Sequence, residues 1–182
     1  MFENDKNYFV NQNSMKIAIN LFSKIGCNED IIFLCLGSQK VIFDRLAVIV
    51  ADLLKYKYNI SYYVYGGTNA NITKSNLQSY IDMINQCHPK SKVIVVDCAL
   101  STIENVGLVK VYGCGTVAGA AFDSEGIYVG DYSIIGIIGQ RQSLLTSLLL
   151  TERKIIVDMA EQIASGINEF LKLRKYFANL TV

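Results

Sequence analysis

Two aspartates of the sequence occupy positions where a carboxylate pair could activate water. Asp97 directly follows the apolar run Val93–Val96, and Asp44 lies two residues past Ile42 in a predicted helix. In an open α/β sheet, functional groups gather beyond the carboxyl ends of the strands, near a switch in strand order. Two carboxylates that meet there do not both ionise easily, so the pKa of one rises and the pair can share a proton. Alternatively, Asp44 is a solvated surface acid and Asp97 caps the following turn.

The single histidine, His88, argues against several other kinds of catalytic site at that edge. It lies at the amino end of the strand that terminates at Asp97, and six residues at about 3.3 Å each separate the two by roughly 15–20 Å. A Ser-His-Asp or Cys-His triad needs hydrogen-bond contact near ~3 Å. A metal site built from histidine and carboxylates needs the same proximity. We therefore expect neither a triad nor a metal there, and we expect His88 on the surface.

The segment Gly113–Ala118 matches the dinucleotide-binding pattern G-x-G-x-x-[GA]. That motif works by placing a pyrophosphate at the N-terminus of the helix that follows. Here only a short segment precedes Phe122–Gly126, which is typical of a turn. A nucleotide-binding module that uses Gly113 and Gly115 is therefore the weakest of the functional hypotheses, and we expect no cofactor.

The composition is typical of a folded domain rather than of a disordered chain. Of the 182 residues, 51% are hydrophobic and 18% are charged, and the net charge of +1 comes with no long basic run that would predict nucleic-acid binding. No apolar run approaches the ~20 residues of a membrane span, and the start Met1–Lys6 lacks the features of a secretory signal. We therefore expect a cytoplasmic protein whose five cysteines are reduced thiols.

Strands and helices alternate along the first half of the chain, within what we interpret as a single domain of residues 1–182. Residues 1–13 are predicted to be loose, and the core is expected within residues 31–171. The predicted elements are helix 14–25 with Ser14 as its cap, strand 31–36, helix 41–54, strand 60–65, a helix capped by Thr73 or Ser75 with Gln78 in a capping box, and strand 93–96.

Shorter strands and one long helix follow. The apolar patterns predict strands 108–112, 127–129 and 132–138. Arg174 and its lysine neighbours would lie near the C-terminus of the closing helix, where cations are favoured. The buried stripe of that helix is predicted to consist of Ile156, Met159, Ile163, Ile167, Phe170 and Leu171. Together the elements predict an α/β fold, a three-layer α/β/α sandwich with a mixed, mostly parallel central sheet.

Four segments, in this order, resemble the YyaC-type sporulation proteins. They are Phe33–Leu46 (FLCLGSQKVIFDRL), Val93–Leu100 (VIVVDCAL), Gly119–Ala121 and Val129–Ile138. These sporulation proteins are small relatives of the germination protease and share a fold with the hydrogenase-maturation peptidases. The resemblance covers most of the chain. It implies a role in spore formation or germination, in the cytosol of the forespore or of the mother cell.

The resemblance implies that Asp44 and Asp97 are a catalytic pair. Under the hypothesis of an aspartate-dependent peptidase, Asp97 is the general base, and Asp44 shares its proton and stabilises the oxyanion. A peptidase of this type would be independent of metal and would act on small spore or sporulation proteins. The expected partner is thus a peptide or small protein, with neither nucleic acid nor membrane, and the chain could form a homo-oligomer. The motif positions that we expect to contact substrate are Gly37, Ser38, Cys98 and Gly119.

The loop that precedes Asp44 departs from the family pattern. Where the family has Thr-Asp-Arg-Ser-Thr-Gly, this chain has the segment Ser38–Phe43, and Ala47-Val48 replaces the family's Gly-Pro. Apolar residues there favour a plain helix start, so that backbone donors would no longer aim at a substrate carbonyl. Such donors can each contribute ~3 kcal/mol to transition-state stabilisation. The alternative function is therefore a catalytically inactive relative that binds a peptide or partner protein during sporulation.

Overall fold

Five strands of the chain form one twisted sheet that organises the rest of the structure. The computed structural model describes residues 3–119, 126–140 and 153–180, with the backbone alone for residues 3–12, 43 and 153. Across the sheet the strands are β2 (Val64–Tyr65), β1 (Ile31–Cys35), β3 (Lys92–Ser101), β7 (Tyr132–Gln140) and β4 (Val109–Tyr112). All neighbours are parallel except β4, which runs antiparallel to β7. The prediction of a mixed, mostly parallel sheet is confirmed.

Alternate residues of β1 enter two separate cores, one on each face of the sheet. Ile31, Phe33 and Cys35 belong to the first core, whereas Ile32 and Leu34 belong to the second. A strand that is covered on both faces needs apolar side chains at every position. This requirement explains the unbroken apolar run that the sequence shows there.

Helices cover both faces, which gives the layered α/β arrangement. The first core is completed by α1 (Glu3–Lys24), α2 (Leu46–Asp52) and α4 (Arg153–Leu180). The second is completed by α3 (Lys74–Cys87) together with a two-stranded ribbon of β5 (Thr116–Ala118) and β6 (Ile127–Val129). No helix within the described ranges combines the length and the apolar character needed to cross a membrane.

The predicted stripe of α4 is buried as expected, but the helix extends further than its basic residues suggested. All six apolar residues of the stripe are buried. Arg174, expected near the helix C-terminus, is only 3% exposed. Its guanidinium donates to the backbone carbonyls of Cys27 (3.0 Å) and Glu29 and lies over the ring of Phe170. The cation therefore ties α4 to the segment before β1.

Several boundaries differ from the sequence-based expectation. Helix α1 begins at Glu3 and includes residues that we expected to be loose. The predicted strand 60–65 is reduced to the two residues of β2. The predicted helix 41–54 is divided into a 3₁₀ turn at Phe43–Arg45, then α2, then a π-helical turn at Leu53–Lys57.

The start of α3 shows which of the candidate caps the sequence uses. Thr73 is the N-cap, and its backbone N–H donates to the side chain of Asn76 at 2.8 Å in a reciprocal capping box. The capping box predicted from Ser75 to Gln78 is wrong, because Gln78 lies further into the helix and donates to Asp82 instead.

Candidate functional site

The strand order reverses between β1 and β3. From β1 the chain goes to β2 on one side and then returns to β3 on the other side of β1. Loops leaving the carboxyl ends of two such strands diverge to opposite faces, and the crevice between them is where ligands bind in open α/β sheets. Asp44 belongs to the segment that leaves β1, and Asp97 lies in β3 just beyond its pairing with β1, so the structure places both predicted carboxylates at this end of the sheet.

Asp97 is the first residue of β3 beyond its pairing with β1. The last pair between the two strands joins Cys35 to Val96, and the Leu36 N–H then donates to the Val96 carbonyl at 2.9 Å. We expected β3 to end at Asp97, but pairing with β7 continues it to Ser101. Asp97 therefore projects from a regular strand rather than from a turn, and its backbone is held by the sheet.

The environment of Asp97 favours the protonated form of its carboxyl. Burial, and to a smaller extent the nearby charge of Asp44, raise its pKa from 3.8 to about 7. The backbone N–H of Cys98 donates to Oδ1 at 2.7 Å and opposes this rise. The residue nevertheless keeps a partial exposure to solvent. At neutral pH both protonation states are thus populated, as general acid–base chemistry requires.

Asp44 lies in the 3₁₀ turn that precedes α2 and is half-buried. Burial raises the pKa of its carboxyl, while the backbone N–H of Ser38 opposes the rise. Its charge raises the pKa of Asp97, so the structure brings the two predicted acids into electrostatic contact. Two neighbouring carboxyls whose environments differ in this way can divide the roles of proton acceptor and proton carrier.

Gly37 allows the loop after β1 to pass in close contact with the backbone of Asp44. Its N–H donates to the Ile72 carbonyl at 2.7 Å, and a Cβ on Gly37 would lie 2.1 Å from the Asp44 carbonyl oxygen. The same carbonyl accepts the N–H of Ser38 at 3.0 Å. Gly37 and Ser38, both predicted to contact substrate, are thus placed beside Asp44, where they fix its backbone.

The amide groups that follow in this loop are also occupied. Gln39 N–H donates to Asn71 Oδ1 at 2.9 Å, and Lys40 N–H donates to Ser38 Oγ at 3.1 Å. Arg45 Nε donates to the Gln39 carbonyl at 2.6 Å. The N–H groups of residues 38–40 therefore each have an acceptor within the chain.

Cys98 contributes through its backbone rather than through its thiol. Its side chain packs against the first core, and burial together with the carboxyls of Asp97 and Asp44 raises its pKa well above 9.0. A thiol that resists ionisation is a poor nucleophile. The predicted role in substrate binding is not tested by these contacts, but the Cys98 N–H holds the Asp97 carboxyl in place.

Gly119 lies at the end of β5, against the beginning of α3. Its φ of +82° is in the left-handed region, and a Cβ there would lie 3.1 Å from Lys74 Cδ. The rest of the predicted Gly-rich segment, residues 120–121, and residues 122–125 of the predicted turn lie outside the described residues. The structure places Gly119 near α3 and describes no contact that joins it to either aspartate.

The remaining sequence candidates lie elsewhere. His88 ends α3, and its Nε2 lies 2.7 Å from the Tyr65 hydroxyl, so it is half-buried rather than free on the surface. The glycine motif at 113–118 runs into β5, a strand, where dinucleotide binding requires a helix. Within the described residues, no group of three or more His, Cys, Asp or Glu side chains could hold a metal ion.

Comparisons with known proteins place the chain among its relatives. Residues 3–166 match the model of a family described as protein of unknown function (DUF1256). The chain is 26% identical over 144 residues to a Bacillus subtilis (strain 168) protein with the name Uncharacterized protein YyaC, an alignment that covers 79% of this chain and 70% of that protein. No solved structure matches the chain.

Proposed function

This chain belongs to the DUF1256 family, and on that premise we propose that it is an aspartate-dependent peptidase of sporulating cells. The observation that carries the proposal is the state of Asp97. Its pKa of about 7, raised by burial and by the charge of Asp44, makes it a proton acceptor at neutral pH. It lies at the switch in strand order, where the fold can hold a substrate.

The proposed reaction uses water as the nucleophile. The ionised Asp97 carboxylate removes a proton from a water molecule, and the water oxygen forms a bond to the carbonyl carbon of the peptide. The proton then passes to the amide nitrogen as the carbon–nitrogen bond breaks. Asp44 shares the proton that Asp97 takes from the water, and through this shared proton the pair donates to the developing oxyanion before the proton reaches the nitrogen. No metal takes part in these steps, and atoms and charge balance within the pair.

The proposed substrates are small spore or sporulation proteins. This part rests on the resemblance to the YyaC-type proteins and on the match to the Bacillus subtilis relative.

The direct test is cleavage of purified small spore proteins by the intact chain, with fragments identified by mass spectrometry. Asp97→Asn and Asp44→Asn should each reduce the rate by about 100-fold or more, since each removes a group that must carry a proton. Asp82→Asn, which changes an exposed aspartate of α3, is the matched control and should leave the rate unchanged. Cleavage at the wild-type rate by both active-site variants would exclude the proposed reaction.

A second candidate function is favoured by the loop before Asp44. The N–H groups of residues 38–40 bond within the protein, and the apolar side chains of Val41 and Ile42 are exposed. A site with few free donors and an apolar rim is suited to binding a polypeptide without cleaving it. A protein with this second function would bind spore-protein peptides with measurable affinity. The wild type and the Asp97→Asn variant would both bind them, and neither would release fragments.

A further inference from the structure

The loop that precedes Asp44 is bonded to a second loop, which follows β2. The Gly37 N–H donates to the Ile72 carbonyl at 2.7 Å. The Gln39 N–H donates to Asn71 Oδ1 at 2.9 Å. Both acceptors belong to the loop after β2. Another N–H of the first loop donates to the Asp44 carbonyl, so the place of Asp44 depends on the second loop as well as on the first.

The loop after β2 (residues 66–72) begins with two glycines that pass close to other segments. Gly66 and Gly67 have φ angles of +104° and +113°, in the left-handed region that favours glycine. A Cβ on Gly66 would lie 2.4 Å from the Cys35 carbonyl oxygen. A Cβ on Gly67 would lie 2.6 Å from Asp52 Oδ1. The loop therefore lies directly against the carboxylate at the end of α2.

Two charged side chains from the end of α2 and the turn after it hold this loop. Asp52 is the last residue of α2, and its carboxylate accepts the Thr68 N–H at 3.1 Å and the Thr68 hydroxyl. Lys55 lies in the π-helical turn that follows, and its ammonium donates to the Gly66 carbonyl. Both charged side chains are half-buried. Hydrogen bonds of ionised groups are stronger than those between neutral groups, so this pair is suited to fixing the loop.

These contacts form a closed ring that includes Asp44. The helical segment of residues 43–57 carries Asp44 near its beginning, and Asp52 and Lys55 near its end. The end of the segment holds the loop after β2, that loop holds the loop after β1, and the loop after β1 bonds the Asp44 backbone. Movement of Asp44 away from the crevice therefore requires that at least one hydrogen bond of the ring breaks.

We propose that Asp52 and Lys55 are positioning residues, which keep Asp44 beside Asp97 by holding the loop after β2. The inference rests on the proposed function, because the two acids can share a proton only while they are close together. Displacement of a reacting group by ~1 Å can lower a rate by about 100-fold. None of the described contacts joins Asp52 or Lys55 to either acid, so their effect on the reaction passes through the loop.

The first test measures kcat and KM for cleavage of small spore proteins. Asp52→Ala removes both acceptors for Thr68, and it should lower kcat by about tenfold while KM changes by less than about twofold. Asp52→Asn keeps an acceptor for the Thr68 N–H and should restore kcat to within about threefold of the wild type. Equal kcat values in Asp52→Ala and the wild type would overturn the inference.

The matched control is Asp30→Ala. It also removes a carboxylate that joins two loops, because Asp30 accepts the Ser91 hydroxyl, but it does so at the amino end of β1 and β3. Its kcat should equal that of the wild type. Thermal unfolding establishes that each variant is folded at the assay temperature. A kcat as low in Asp30→Ala as in Asp52→Ala would contradict a specific role for Asp52.

The second pair of variants tests the other contact, and it replaces the first pair if Asp52→Ala does not fold. Lys55→Met removes the donor to the Gly66 carbonyl and keeps most of the length of the side chain, and it should lower kcat by about fivefold. Lys55→Arg keeps a cationic donor and should leave kcat near the wild-type value. An equal loss of kcat in both variants would contradict the proposed role of Lys55.

A readout that is independent of cleavage is the ¹³C titration of the Asp44 carboxyl. Burial raises its pKa above 3.8, so an Asp44 that is displaced and more exposed should titrate at lower pH in Asp52→Ala and in Lys55→Met. In Asp30→Ala it should titrate as in the wild type. Contacts that only stabilise the fold would lower the unfolding temperature without moving this midpoint, and unchanged midpoints in both loop variants would contradict the positioning role.

The outcomes for the positioning role and for the peptidase are separable. A shifted Asp44 midpoint in Asp52→Ala, with no cleavage by the wild type, would support the positioning role and contradict the peptidase. Cleavage with the same kcat in the wild type, Asp52→Ala and Lys55→Met would support the peptidase and contradict the positioning role. All of these measurements use the full chain.

Discussion

Asp44 and Asp97 reach the same crevice from backbones of different kinds. Asp97 projects from a regular strand that is paired along β7, so the sheet itself fixes its position. Asp44 lies in a 3₁₀ turn whose place depends on individual contacts of the loop before it, such as Ser38 N–H to the Asp44 carbonyl. The comparison indicates that the more strongly perturbed acid occupies the more rigid element, whereas its partner depends on a segment that single substitutions can displace.

The largest expected effect on stability comes from Gly37→Ala. A Cβ at this position would lie 2.1 Å from the Asp44 carbonyl oxygen, so the loop must move away from Asp44. We expect the free energy of unfolding to fall by about 3 kcal/mol, measured by urea denaturation. The control is Gly113→Ala, because a Cβ there meets only Lys24 Cδ at 4.0 Å. Equal stabilities for these two variants would show that the loop is less constrained than its contacts indicate.

Asp97→Asn should raise stability at the same time as it removes activity. The pKa of Asp97 is about 7 in the folded protein and 3.8 ordinarily, so the folded state binds a proton that the unfolded state releases between these values. The free energy of unfolding therefore falls as pH rises from about 4 to about 7. Partial exposure screens this cost, and we expect Asn to restore about 2 kcal/mol at pH 8 and little at pH 4.

Urea denaturation of Asp97→Asn and of the wild type at the two pH values measures this effect. The control variant Asp82→Asn should change the stability by less than about 0.5 kcal/mol at either pH. A stability difference between Asp97→Asn and the wild type that does not change with pH would mean that Asp97 has the same pKa in the folded and the unfolded protein. In that case the raised pKa of Asp97, the main observation behind its proposed role as general base, would be contradicted.

The pH dependence of cleavage tests whether Asp97 must be ionised and whether Asp44 raises its pKa. If Asp97 must be ionised, activity should rise through a midpoint near its pKa of about 7, which makes the rate about tenfold lower at pH 6 than at pH 8. Asp44 raises this pKa through its charge, so in Asp44→Asn the midpoint should move to lower pH. A ¹³C titration of the Asp97 carboxyl measures the shift even if that variant is inactive. An unchanged midpoint would show that the two carboxyls do not interact.

The placement of both acids could be predicted from the sequence, but the length of β3 could not. Apolar runs followed by aspartate define the carboxyl edge of the sheet, and the topology rule then selects the crevice. Aspartate is disfavoured inside strands, so we predicted from the sequence that β3 ends at Asp97. Its continuation to Ser101 depends on pairing with β7, which local sequence does not encode.

The burial of Arg174 likewise could not be predicted from its local sequence. Its neighbours are lysines, and the local pattern is that of a solvated helix end. The side chain is buried because the carbonyls of Cys27 and Glu29, far away in sequence, need a donor where the chain enters β1. Local periodicity identified the elements, whereas their ends depended on the neighbours with which they pair.

The smallest effect that we predict tests whether the loop before Asp44 influences the carboxyl of Asp97 on its strand. Asn71→Ala removes the acceptor of the Gln39 N–H and the donor to the Thr68 carbonyl, and it should lower the free energy of unfolding by about 1 kcal/mol. Asn85→Ala, at an exposed position of α3, is the matched control and should have little effect. Burial is the larger cause of the raised pKa of Asp97 and the charge of Asp44 the smaller one, so a displaced loop should move the titration midpoint of Asp97 by no more than about 0.3 pH units. A larger shift would mean that the loop, and not the strand, determines the electrostatic environment of the proposed general base.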